Sequence, residues 1–319
     1  MIDRSPWAPI AAAMEQRLIF DAPLANLTTY GVGGPAAILA RPESPEELSA
    51  LLEMRARQEL PVHILGGGSN TLFADEGFEG LIVKLGKMFQ SVDASEDGRI
   101  MAGAGVPTAA VLETAVNMEL SGLEGLAGIP GSFGGALMMN AGSCGQEVGA
   151  TVEYVFGLDG QGRKFRRPKG ELKFEYRRLG GLPEGAVMLG ADLRLGRDRP
   201  EDIKNLIGEY RSRRAKTQPQ GLRSAGSVFK NPPGLYAGKL IEECGFKGLA
   251  VGGARVSEVH ANFIVVQGPS ESGQILELIN KVRAGVYERR GVILEPEIKI
   301  IGPRGPMAPA PLGVDHGRA

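Results

Sequence analysis

Cysteine and histidine are scarce in this 319-residue chain: Cys144 and Cys244 are the only thiols, and His63, His260 and His316 the only imidazoles. No Cys-x-x-Cys pair occurs and the histidines are scattered, so no structural metal is expected, and the thiols read as reduced residues of a cytosolic protein. Charge of one sign is missing as well. Lys and Arg number 36 against 37 Asp and Glu, a formal net charge of -1. A nucleic-acid partner is thereby disfavoured, because binding a phosphate backbone normally needs a basic excess. Long apolar runs are absent too. The opening Met1-Ile2-Asp3-Arg4 has no signal-peptide core. The most apolar stretch, Gly125 to Met139, is interrupted by Pro130 and several glycines and is too short to span a bilayer. A cytoplasmic protein with no membrane partner is expected.

Glycine, by contrast, is abundant at 47 residues. The glycines follow no fixed period, which excludes collagen and solenoid architectures. They cluster at 31–34, 66–68, 122–135 and 245–253, each beside an apolar segment. Loops that approach a ligand closely require this pattern, since a missing Cβ lets backbone come near.

Periodicity places the elements. Ser44-Pro45-Glu46-Glu47 predicts a helix start, with Ser44 as cap, Pro45 at the first position and Glu47 completing a capping box; Leu48, Leu51 and Leu52 form its apolar stripe. A buried strand, Pro61 to Leu65, runs into Gly66-Gly67-Gly68-Ser69-Asn70, and a further strand spans Gly80 to Leu85. A strand at 100–104 and a helix at 107–120 follow, then strands at 151–158, 162–166 and 186–195. A helix is expected over 200–214, a strand over 227–231, a helix near 235–244 and a strand over 260–267. A long helix over 270–290 should stop at Gly291, before a final strand at 292–301. Residues 303–319, rich in Pro, Gly and Ala, are expected to be disordered.

Two familiar nucleotide fingerprints fail. The loop at 66–71 has no Lys-Ser/Thr pair for a Walker motif, and Gly103-Ala104-Gly105-Val106-Pro107-Thr108 lacks the third glycine of a Rossmann turn. What remains at 66–70 is a run of backbone N–H donors at a strand end, a nest suited to a pyrophosphate or simply a tight loop. The second glycine region, Gly122 to Ala136 with Asn140-Ala141-Gly142, is long, small and apolar enough to lie against a flat ring or to pack as a core crossing.

In order along the chain, the motifs Asn26-Leu27-Thr28-Thr29-Tyr30-Gly31-Val32-Gly33-Gly34, the 66–70 loop, Gly128-Ile129-Pro130-Gly131-Ser132 through Gly142, Tyr176-Arg177, Gly226-Ser227-Val228-Phe229-Lys230-Asn231-Pro232 and Leu294-Glu295-Pro296-Glu297-Ile298 resemble the enolpyruvoylglucosamine reductases. The resemblance covers roughly 24–302, and the sequence is similar to the shorter branch of that family, without a lid-tyrosine insertion. One departure is local: Leu179 stands where the family commonly has a serine. The fold implied is α+β, a two-part FAD-binding domain of the vanillyl-alcohol-oxidase/p-cresol-methylhydroxylase type followed by a smaller α+β substrate-binding domain. The corresponding boundaries are an N-terminal extension over 1–23, the FAD domain over 24–199 (parts 24–86 and 87–199), the substrate domain over 200–302 and the tail beyond.

The resemblance also implies a reaction: NADPH-dependent, FAD-mediated reduction of UDP-N-acetylglucosamine enolpyruvate to UDP-N-acetylmuramate for peptidoglycan. Hydride passes from flavin N5 to the enolpyruvyl methylene carbon and a proton follows. Ser227 is the implied proton donor, Arg177 the carboxylate clamp and Glu297 the supporting acid, with Glu295 its competitor on the same strand face. FAD, held without a covalent bond, is assigned Tyr30, Gly66, Gly67, Gly68, Ser69, Asn70, Gly128, Ile129, Pro130, Gly131, Ser132, Gly134, Gly135, Asn140 and Gly142. The UDP-sugar is assigned Tyr176, Lys216, Asn231, His260 and Asn262. A monomer or weak dimer is expected. The rival functions are another FAD-dependent carbohydrate or hydroxy-acid oxidase and a non-catalytic nucleotide-binding protein.

Overall fold

The computed structural model describes residues 2–312, which divide into two compact units. Among the described residues the first comprises 2–22, 37–67 and 79–216, the second 23–36, 68–78 and 217–312. The division does not follow one cut near residue 200. Thr71–Phe73 pairs in parallel with Lys299–Gly302 at the far end of the chain, and Tyr30 and Val32 join the apolar core of the second unit.

The first unit has two hydrophobic cores. One lies against a four-stranded sheet ordered Leu18–Pro23, Pro35–Ala40, Phe78–Val83, Val62–Ile64. Helix Pro45–Arg57 packs Leu48, Leu51 and Leu52 into that core. Its start differs from a capping box. The Ser44 hydroxyl accepts from the Glu47 N–H at 3.1 Å, but the Glu47 carboxylate accepts instead from the Glu43 N–H and, through both oxygens, from Arg17 at 2.5 and 2.8 Å. A guanidinium outcompetes a single backbone donor for a carboxylate.

The segment before residue 24 is part of the fold, not an appendage. Trp7 is fully buried, donates from Nε1 to Gln58 at 2.5 Å, and leads into helix Ala8–Met14. The other core backs a five-stranded antiparallel sheet ordered Lys164–Pro168, Val152–Leu158, Val187–Arg194, Arg99–Gly103, Val92–Ala94. Helices Thr108–Asn117 and Phe133–Met138 pack here.

In the second unit, the antiparallel strands Ala250–Val251, Ala254–Val256 and Ile264–Val266 pack with helices Ala237–Glu243 and Ser272–Arg290. The long helix puts Ile275, Leu278, Ile279, Val282 and Val286 inward and ends on Gly291 at φ 65°, a left-handed cap that glycine adopts without strain. Asp75 holds its start, accepting from the Ser272 and Gly273 N–H groups at 2.8 Å each.

Several expected strands are shorter than the sequence pattern suggests, among them 260–267, which is confined to Ile264–Val266. Residues 227–231 make only isolated bridges, Ser227 to Phe263 and Phe229 to Pro296, and the last long strand is confined to Lys299–Gly302. The expected tail is ordered as far as it is described: Gly305–Pro306 turns back on Ile301 and Gly302, and Ala310 bonds to Asn280 and Arg283. Residues 313–319 lie outside the described residues. Among the described residues no helix is long and apolar enough to cross a membrane.

Candidate active site

Glycine packing builds the strip expected to hold the cofactor in the first unit. A Cβ at Gly67 would lie 2.5 Å from the Gly131 Cα, and one at Gly66 would lie 2.3 Å from the Ser132 Oγ. Only glycine lets these two loops meet. Gly131 sits at φ 118°, and Ser132 Oγ accepts from the Gly135 N–H at 3.3 Å. Gly67, Gly128, Pro130 and Gly135 are exposed along the strip. Among the described residues, the N–H groups of Gly66 and Gly67 donate to no protein acceptor. Apolar loop surface with outward amides suits a dinucleotide carrying a flat ring and a diphosphate.

Other residues assigned to the cofactor are occupied internally. Gly134 lies against Ala104, where a Cβ would sit at 2.7 Å, and Gly142 has no room beside the Gln146 carbonyl. Asn140, buried at φ 41°, donates to Glu147 at 2.6 Å and to the Glu175 carbonyl, and accepts from Gly149. Ile129 packs against the core. In the second unit, Gly68 is buried with its carbonyl accepting from Thr29 at 3.1 Å, and Ser69 is half-buried. Asn70 donates to the Glu297 carbonyl at 3.2 Å. Tyr30 is wholly buried in the core, and burial pushes its phenol well above the ordinary range.

Two of the remaining candidates of the first unit, Arg177 and Lys216, carry positive charge. Tyr176 and Arg177 form the two-residue turn between strands Lys173–Glu175 and Arg178–Gly180. Arg177 occupies the left-handed region at φ 59°, with its guanidinium 4.8 Å from the centre of the half-exposed Tyr176 ring. A non-glycine residue held there costs about 1–2 kcal/mol, and such strain concentrates at functional positions. Arg214, on helix Pro200–Thr217, was not singled out by sequence. It is half-buried, its Cδ 3.1 Å from where a Gly128 Cβ would be. Burial, then repulsion from Arg177, lowers its pKa. Two guanidiniums within electrostatic reach, one partly desolvated, favour an anion. Lys216 is exposed near the end of the same helix.

In the second unit, Ser227 follows Gly226 at φ 75° and is half-buried. The residues after it are gripped from both sides. Val228 N–H donates to the Asn262 carbonyl at 2.8 Å, and the Val228 carbonyl accepts from Glu297 at 2.7 Å. The Asn262 side chain accepts from Phe229 N–H at 2.9 Å and donates to the Phe229 carbonyl at 2.8 Å. Asn262 is thus a buried backbone clamp. His260 is also turned inward: its Nδ1 accepts from the Asn262 N–H at 3.1 Å, and burial lowers its pKa. Asn231, exposed, accepts from Ala237 at the start of helix Ala237–Glu243. Glu297 is half-buried, whereas Glu295 is exposed and pairs with Lys230 at 2.5 Å.

The layered sheets and the glycine strip define a flavin-dinucleotide-binding class, and residues 35–160 match the family model described as an FAD binding domain. Residues 218–301 match the C-terminal domain of UDP-N-acetylenolpyruvoylglucosamine reductase. The chain is 42% identical over 304 residues to the UDP-N-acetylenolpyruvoylglucosamine reductase of Desulfosudis oleivorans, covering 92% of this chain and 97% of that one. It is 39% identical over 282 residues to the reductase of Clostridioides difficile, covering 88% and 92%. The crystal structure of UDP-N-acetylenolpyruvylglucosamine reductase from Thermus caldophilus superposes with a TM-score of 0.76 at 38% identity, covering 89% of this chain and 97% of that one. The chain belongs to the UDP-N-acetylenolpyruvoylglucosamine reductase family.

Proposed function

We propose that the chain reduces UDP-N-acetylglucosamine enolpyruvate to UDP-N-acetylmuramate with NADPH as reductant, in the supply of peptidoglycan precursors. The observation that carries this reading is the 42% identity across nearly the full length of a reductase of that name. FAD, when bound, would supply the hydride chemistry that links NADPH to the enolpyruvyl methylene carbon. Gly66, Gly67, Gly128 and Gly131 hold the cofactor through backbone amides and close approach.

The side chains handle charge and protons. Reduction at the methylene carbon leaves negative charge on the neighbouring carbon and its carboxylate. Arg177 holds that carboxylate with paired N–H groups, and the nearby charge of Arg214 supports it. Ser227 gives its hydroxyl proton to the carbanion-like carbon, which is basic enough to accept it. Glu297 holds the donor network; its half-buried position and its backbone bond to Val228 favour it over the exposed, Lys230-paired Glu295. Lys216, Asn231 and Tyr176 meet the nucleotide part of the substrate.

The two half-reactions separate the roles. Ser227→Ala should leave NADPH-driven bleaching of the flavin band near its native rate while slowing reoxidation by the enolpyruvyl substrate about 10²–10⁴-fold, the usual contribution of a positioned acid. Equal slowing of both halves would remove Ser227 from the donor role. Absence of a flavin band from protein supplied with FAD would sink the whole reading.

A further inference from the structure

Lys84 follows strand Phe78–Val83, and its backbone is registered beside the first glycine loop. Its own N–H donates to the Ala40 carbonyl at 2.9 Å, and the carbonyl of Val83 just before it accepts from Leu65 at 2.8 Å. From there the side chain reaches across, and Nζ donates to the Gly66 carbonyl at 2.6 Å. The ammonium is partly buried, and burial followed by repulsion from Arg41 lowers its pKa. Among the described residues no carboxylate pairs with it. A lysine charge taken partly out of water without a carboxylate is costly. The site therefore gains from an anion.

The peptide joining Gly66 to Gly67 relays that charge. The bond is trans, so its N–H points away from its C=O. With the Gly66 oxygen fixed on Lys84, the Gly67 N–H is aimed out of the opposite side of the loop, where it meets no protein acceptor among the described residues. A cation on the carbonyl oxygen also polarises the peptide and makes that N–H a stronger donor to an anion. Gly67 cannot carry a side chain to do this work itself, because a Cβ would collide with Gly131. We propose that Lys84 is a positioning residue for the cofactor's diphosphate, acting through the Gly66–Gly67 peptide. The proposal rests on the FAD reading above.

The test is the FAD affinity of apoprotein, read from flavin fluorescence, with riboflavin as a probe that lacks the diphosphate. Lys84→Met should weaken FAD by at least about tenfold, as expected for a lost charge-assisted hydrogen bond. Riboflavin binding should change by less than about twofold, and Lys84→Arg should restore FAD to within about threefold of native. Lys84→Gln keeps a donor for the Gly66 carbonyl without the charge. It should fall between Met and Arg, and it carries the comparison should the Met variant fail to fold. Native FAD affinity in Lys84→Met, or in Lys84→Gln where Met does not fold, would overturn the proposal. So would equal losses for FAD and riboflavin. Native protein that binds no FAD would instead overturn the cofactor reading on which the proposal rests.

Discussion

Asn262 offers the most quantitative test of how the second unit holds Ser227. Its carboxamide satisfies both backbone groups of Phe229, at 2.9 and 2.8 Å, and both residues are buried. Asn262→Ala leaves the Phe229 N–H and C=O with no side-chain partner. Each buried orphan costs about 1–3 kcal/mol, so the loss is about 2–6 kcal/mol, nearer the lower figure where water fills the space. Asn262→Leu separates polarity from packing. Leucine fills the volume but offers neither donor nor acceptor and excludes water, so it should be no more stable than alanine despite its greater hydrophobicity. Hydrogen exchange at the Phe229 amide reads the clamp directly, with thermal melting of apoprotein for the global effect. Because Ser227 bridges to Phe263, next to Asn262, substrate reduction should fall more than flavin reduction by NADPH. Native-like protection of the Phe229 amide in Asn262→Ala, or a leucine variant more stable than the alanine variant, would refute the reasoning.

Other residues give sharper contrasts between stability and activity. Arg177→Gly should relieve the strain of the left-handed turn at φ 59° and leave the melting temperature unchanged or higher, since glycine gains about 1 kcal/mol there. The same variant should lose substrate reduction by about 10²-fold or more, and a parallel fall in stability would mark Arg177 as structural. His260, whose pKa burial lowers, binds its proton more readily in the unfolded chain. Its contribution to stability is therefore complete above about pH 6.5 and declines as pH falls below that value towards the folded pKa. Urea midpoints between neutral and mildly acid pH should fall less steeply in His260→Gln, and an identical slope would refute the assignment.

The helices were the most legible part of the fold because their signals are local. Ser44-Pro45 and Gly291 mark ends through groups within a few residues, and the structure places helix boundaries at both. The division into units was not legible. Thr71–Phe73 finds its partner in Lys299–Gly302, and a strand of three buried residues carries no label for a partner so far along the chain. The hairpin at Tyr176-Arg177 was hidden for a different reason. Its turn places arginine where glycine or asparagine would normally announce a positive φ.

The site shows why polar residues in glycine-rich loops mislead. Asn70, Asn140 and Asn262 each sit in a motif that points to ligand contact, yet each has its carboxamide spent on the protein: on the Glu297 carbonyl, on Glu147 with Gly149, and on both backbone groups of Phe229. A short side chain with a donor and an acceptor is what irregular backbone needs to satisfy its own orphaned groups. From sequence the two uses look alike. The distinction lies in what is left over once internal partners are counted: the amides of Gly66 and Gly67 and the uncompensated charge of Lys84. Lys84 has no motif of its own and reads in sequence as an ordinary strand-end lysine. Only the fold brings its ammonium to the Gly66 carbonyl.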